Sequence, residues 1–405
     1  MAFKLLLTRE VLTIVIIGFT FSLILGIVHT ILPLYLRLIG LSMLGIGFIF
    51  SFYEICLILS NVLIGLLCSR SRLGVRAILF ISLILHSLTS LLYSFSHHVF
   101  QIEFYALIRG LRGLASSMKA IGIRSIISRL KFRGSIFSSY SSSCWIGKGL
   151  GIFLGAVLLV HLGFVHSFYA CTILSLLCSI SILFLTRNLT THRSSCSSAA
   201  QSYSRVLQQV FILCFPIHFA VGLLIVIIPI YVFEYAVIPI HMYEYISISF
   251  YDLGLLGLIL SSMYFVSGVS QLLFGSLSDR IGRFPFIILG CFFSSVIRFL
   301  LPLNYDLIYL TVLLIFTYLF YGMIIPSLNS LLLDLVKRGE VDIGLYNLFK
   351  ELGIALGVFT SGIVADVSFS HAFYISALLF TIAGIHALYI FVHILGLSSG
   401  NVNTS

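Results

Sequence analysis

Twelve apolar runs, most of them about 20 residues long, follow one another along this chain with short polar joints between them. Inside a bilayer every backbone amide must be paired, so only helices or closed barrels can span it. These runs are too long and too evenly apolar for the alternating strands of a barrel. Composition agrees: 60% of the 405 residues are hydrophobic and 9% charged, where a soluble protein keeps about a quarter charged. The expected fold is an all-α, polytopic membrane protein.

The runs and their breaks predict spans at 10–38, 43–68, 77–96, 100–123, 136–160, 166–186, 207–233, 251–275, 285–302, 307–333, 342–365 and 371–395. Lys4 and Arg9 ahead of the first run imitate a signal peptide. No small-residue cleavage site follows, so the run reads as a retained helix. The eight cysteines form no CxxC pair and read as small hydrophobes rather than metal ligands or disulfides. No cofactor is expected.

Charge sets the orientation. With the N-terminus in the cytoplasm, that side collects Arg70, Arg72 and Arg76, then Arg124, Arg129, Lys131 and Arg133, then Arg187, Arg193 and Arg205, and later Arg280, Arg283, Lys337 and Arg338. Only Arg37 and Arg298 fall near the other face. Cytoplasmic loops collect Lys and Arg, so both termini are expected inside a cell membrane. The net charge of +10 is then a topology signal. With no basic face outside the membrane, no nucleic-acid partner is expected.

The halves repeat each other. "GFIFSFY" from Gly47 lines up with "GLILSSM" from Gly257 at an offset of 210, which also carries Asn61 onto Gln271 and Gly65 onto Gly275. "KGLGIFLG" from Lys148 matches "KELGIALG" from Lys350 at an offset of 202. The predicted domains are a six-helix bundle over 1–186, a Ser-rich cytoplasmic linker over 187–206 and a second bundle over 207–405. Such repeats are the architecture of alternating-access carriers.

"GSLSDRIGR" combines Gly275, Asp279, Arg280, Gly282 and Arg283. It resembles the GxxxDRxGR loop signature of the major facilitator superfamily, between helices eight and nine. The first copy, between helices two and three, keeps Gly65 and Arg70 but has Ser69 in place of the acid. Arg109 with Gly113 resembles the family's helix-four pattern, and Gly147, Gly151 and Gly155 its helix-five glycines without the usual proline. The resemblance implies two pseudo-symmetric six-helix bundles, with helix eight packed on five and helix two on eleven. Asp279 would then sit against the positive N-terminal end of helix five.

Charges near mid-bilayer cost roughly 2.5–3.5 kcal/mol on insertion scales unless paired or wetted, and mark functional candidates. Glu54, Lys148 and Lys350 all fall near the middle of their spans, and Glu351 follows Lys350. Lys148 and Lys350 occupy equivalent places in the repeats. Two such cations could bind an anionic substrate, or each could pair with an interior acid, Glu54 being a partner open to Lys350. Arg109 resembles the family arginine associated with proton coupling. Since arginine keeps its proton, it would act on Glu54 or Glu351; the other reading has it hydrogen-bonding within the first bundle. His29 and His218 could line the cavity, whereas the histidines near the other face read as exposed.

The reading that follows is a secondary transporter: a monomer in the lipid bilayer moving a small-molecule substrate, proton-coupled, with an organic anion as candidate. A multidrug or lipophilic-compound exporter is the alternative. A polytopic membrane enzyme would need a catalytic cluster near one face, and the sequence shows none.

Overall fold

The computed structural model describes residues 9–70, 74–95, 101–127, 133–186, 205–237, 250–337 and 343–395. Among these, the chain is helical throughout and holds no strand. The first four helices are α1 (Arg9–Leu38), α2 (Met43–Arg70), α3 (Val75–Phe95) and α4 (Ile102–Ile127). A continuous stretch, Arg133–Leu185, breaks at Gly163 into α5 (133–162) and α6 (164–185). Then come α7 (Arg205–Tyr231), α8 (Phe250–Ile281), α9 (Arg283–Leu300), α10 (Leu307–Lys337), α11 (Ile343–Val367) and α12 (Phe369–Tyr389). Single π-helical turns extend α7 over Val232–Val237 and α12 over Ile390–Leu395.

The twelve segments match the expected spans in order, and ten apolar stretches are long enough to cross a bilayer. α5 and α6 count there as one, and α4 carries too much charge to qualify. The predicted linker 187–206 lies outside the described residues up to 204.

Two breaks depend on glycine. Gly163 has φ +72° and ψ 179°, and a Cβ there would meet nothing within 4 Å. Backbone strain, rather than crowding, therefore calls for glycine between α5 and α6. Gly282 has φ +113° and separates α8 from α9. The expected loop 276–281 is instead the last turn and a half of α8. Nothing in "SLSDRI" breaks a helix, and the chain turns only where a left-handed residue is available.

Helices pack mainly within α1–α6 and within α7–α12. Across the two groups, α5 packs along α8 and α2 along α11, as the resemblance implies. Inside each group the repeat is visible as a helix crossing. A Cβ on Gly151 or Gly155 would lie 2.0 or 2.9 Å from the Leu23 or Ile27 carbonyl of α1. Their counterparts Gly353 and Gly357 would meet Phe215 and Phe219 of α7 at 3.0 and 2.2 Å. Only backbone fits at either crossing, which lets the polar face of α5 and of α11 reach the seam.

The molecule has two ends. The turn end carries the α1–α2 turn at Ile39–Ser42, and the linker end carries Thr186 and Arg205.

Candidate functional site

The site is built on the two seams, and Lys148 is its most distinctive group. On α5, Lys148 is half-buried, with Nζ 4.5 Å from the centre of the Tyr264 ring on α8. Among the described residues no carboxylate forms an ion pair with it. The Tyr264 hydroxyl lies 3.2 Å from His29 Nε2, which ties α1 to α8 between the halves. His29 is buried here, beside the lysine rather than elsewhere in the bundle.

Lys350 is placed differently. Its Nζ lies 3.0 Å from Glu351 Oε1 on the same helix, so a close carboxylate is supplied by the next residue. Glu54 on α2 is within Coulombic reach of Glu351, Arg109, Lys350 and Lys148. The charges predicted from sequence therefore converge on one region. Four cations, Arg109, Lys119, Lys148 and Lys350, face two carboxylates there.

Arg109 is buried, its guanidinium 3.8 Å above Phe50 and 5.0 Å from the Tyr53 ring. The Tyr53 hydroxyl donates to Ser116 Oγ at 2.8 Å. Arg109 is thus stacked on aromatic residues next to Glu54. Arg112 is fully buried and turns instead to Ser90 Oγ at 3.2 Å and Thr89 Oγ1 at 3.4 Å.

His218 lies within Coulombic reach of Lys350 and Glu351, and a Cβ on Gly353 of α11 would sit 3.2 Å from its own Cβ. It is completely buried on α7, with Nδ1 2.8 Å from the Cys214 carbonyl of its own helix. Its Nε2 has no hydrogen-bond partner. Arg298, expected near the face opposite the cytoplasm, is also buried, 4.0 Å over Phe380 with Nη1 donating to the Ser294 carbonyl. His161, His166 and His371 are exposed, as expected of residues near that face.

Asp279 departs from its expected role. Its Oδ1 is 3.2 Å from Arg283 Nη2, one turn on, and its side chain is 61% exposed. It spans the Gly282 break and does not cap α5. Arg280 is exposed beside it. Gly65 and Arg70 fall in the last turns of α2, where the Arg70 side chain is outside what the structure describes, as is the linker up to residue 204.

A carboxylate does cap a helix across the halves, at the other end of the molecule. Asp366 of α11 accepts the Met43 and Leu44 amides, the first of α2, at 2.9 and 3.1 Å. Nearby, Arg37 Nε donates to Glu234 Oε1 at 2.6 Å, joining the end of α1 to the turn after α7. Gly47 and Gly362 bring α2 and α11 together just below, where a Gly47 Cβ would sit 2.8 Å from the Gly362 Cα. The turn end is closed by charge and by backbone contact.

Sequence reasoning missed Asp366, Glu234 and Tyr264. The signal for Asp366 was present: an acid in the last turn of a helix opposes that helix's own dipole, so it calls for a partner elsewhere.

Two six-helix groups with buried charges between them make this a polytopic helical membrane protein. The family model of the Major Facilitator Superfamily matches residues 14–237 and again 210–397. The chain belongs to that superfamily and is a membrane transporter. It is 23% identical to an uncharacterised MFS-type transporter of Methanocaldococcus jannaschii over 94% of this chain and 97% of the relative. The crystal structure of the nucleoside transporter NupG superposes with a TM-score of 0.64 at 17% identity, covering 95% of this chain and 99% of that one. At that identity the likeness is one of fold.

Proposed function

We propose that this transporter is a proton-coupled secondary carrier of a small organic anion. The observation that supports it is Lys148: a half-buried ammonium between the halves, with no carboxylate partner among the described residues. Holding such a charge away from water is costly, and an anionic substrate would offset that cost. Glu54 and Glu351 are the groups able to exchange a proton, with Arg109 biasing Glu54 through its charge. The two halves, 1–186 and 207–405, rock about the seams, and the linker end is cytoplasmic because it collects the Lys and Arg residues. The protein works as a monomer in the cell membrane. A nucleoside, the substrate named for the similar structure, offers no negative charge to Lys148, so the anion is the better fit.

Proteoliposomes with a trapped pH dye test this. Adding single monocarboxylates outside should move the internal pH for some of them, and Lys148→Gln should remove the response. Responses that persist in Lys148→Gln would overturn the anion reading. Substrate entry without any proton movement would overturn the coupling.

A further inference from the structure

Lys148 does not stand alone in the seam. Tyr264, over which its ammonium sits, stacks on Trp145 with centroids 5.2 Å apart and planes at 24°. Tyr318 of α10 leans on Tyr264 at 5.0 Å, and Tyr321 meets Trp145 edge-on at 5.5 Å. Trp145 is the chain's single tryptophan. Tyr264 and Tyr321 are buried, while Trp145, Tyr318 and Lys148 keep part of their surface free. Tyr264 thus joins Lys148, which has no carboxylate ion pair among the described residues, to a cluster of four rings from three helices.

We infer that this cluster selects a carboxylate carried on a planar aromatic or heteroaromatic ring; the inference rests on the anion reading above. An acid group paired with Lys148 must lie within a few ångströms of the Tyr264 ring, because the ammonium itself does. The body of the molecule then meets Trp145 and Tyr318. Aromatic surfaces favour offset or edge-on contact with another ring beyond the gain from burial alone, so a flat ring is held better than a puckered one of the same size. A ring-bearing cation fits poorly. Lys148, Lys350 and Arg109 outnumber Glu54 and Glu351, and Glu351 is already committed to Lys350.

The test uses the full-length purified protein and three probes of similar size: benzoate, cyclohexanecarboxylate and benzamide. Trp145 emission reports binding without a label, and thermal stabilisation reports it independently. Benzoate should change the emission saturably, with cyclohexanecarboxylate at least tenfold weaker and benzamide without effect. Tyr318→Leu should weaken benzoate severalfold and leave cyclohexanecarboxylate unchanged, and Lys148→Gln should abolish binding of both acids. Should Lys148→Gln not fold, the three probes on the unaltered protein carry the test by themselves. Equal affinity for the two acids would overturn the ring inference and leave the anion reading standing. Benzamide binding as tightly as benzoate, or no acid binding at all, would overturn the anion reading itself.

Discussion

The two seams occupy equivalent places in the repeat, yet they are built from opposite chemistry. Lys148 and Gly149 of α5 correspond to Lys350 and Glu351 of α11, and Tyr264 of α8 corresponds to Glu54 of α2. In the α5–α8 seam the lysine meets an aromatic face. In the α2–α11 seam its counterpart meets carboxylates. α2 and α11 also share a neutral backbone contact, Gly47 on Gly362, but the bonds along the two seams otherwise follow the same division. α5 and α8 are joined by neutral contacts along their length: Gly149 against the Ser261 carbonyl, Ser142 Oγ donating to the Gly268 carbonyl at 2.7 Å, and Ser141 Oγ donating to Gln271 Oε1 at 2.7 Å. α2 and α11 are joined at the turn end by the Asp366 cap. Neutral backbone contact survives small sliding motions, whereas charge-assisted bonds are made or broken as units. The difference suits α5–α8 to act as a hinge and α2–α11 as the seam that opens.

The strongest way to break this comparison is to copy one seam into the other. A Cβ at Gly149 would lie 3.1 Å from the Ser261 carbonyl and 3.2 Å from the Phe265 nitrogen. Gly149→Glu, which recreates the α11 sequence, should therefore force the hinge seam apart. The new carboxylate would have Lys148 beside it, as Glu351 has Lys350, so the expected cost is that of overpacking, about 3 kcal/mol, and it should appear as loss of monodisperse protein or a large fall in melting temperature. A well-folded Gly149→Glu would show that α5 and α8 do not pack closely.

The two lysines should respond differently to the same change. Lys350→Gln leaves Glu351 and Glu54 facing each other, with an expected destabilisation of about 3 kcal/mol. Adding Glu351→Gln should recover much of it. Lys148→Gln breaks no close ion pair among the described residues and removes a contact with a ring, which amounts to roughly 0.5–2 kcal/mol. Thermal unfolding of the two single variants and the double one, read as a cycle, decides the matter. Equal losses for both lysines would erase the distinction between the seams.

Much of this was legible beforehand, for physical reasons. Hydropathy gave the helices because a bilayer imposes length and composition together. The glycine rows gave the repeat, since Gly151 and Gly353 answer the same crowding in the two halves. Even the asymmetry of the lysines was written as "KGLG" against "KELG". The partners were not legible. Tyr264 is one of 20 tyrosines, and nothing local marks it as the ring beneath Lys148. His218 resembled His29 in sequence, yet its Nδ1 meets the Cys214 carbonyl of its own helix, whereas His29 reaches Tyr264 across the halves. Asp279 pairs within its own loop here, and its short distance to Arg283 depends on where Gly282 turns the chain.

The turn end should give a smaller effect. Asp366→Asn keeps one acceptor for the α2 amides but loses the charge, an expected change of about 1 kcal/mol. A cysteine placed at Leu44 should then react faster with a soluble maleimide, because the turn end opens more often. Glu234→Gln, which breaks the pair with Arg37, should act in the same direction.

The smallest effect is expected at the loop that stands out most in the sequence. Asp279 and Arg283 form an exposed pair four residues apart, and such pairs contribute about 0–1 kcal/mol. If that contact is all Asp279 makes, Asp279→Asn should leave both the melting temperature and the Leu44 labelling rate unchanged. If the resemblance is right about its role in another conformation, the same variant should slow labelling at Leu44. Asp279 would then hold the linker end shut whenever the turn end is open, and losing it would favour the state described here. The two outcomes differ in sign from Asp366→Asn. Measuring both variants on one reporter therefore separates a latch at each end from a latch at the turn end alone.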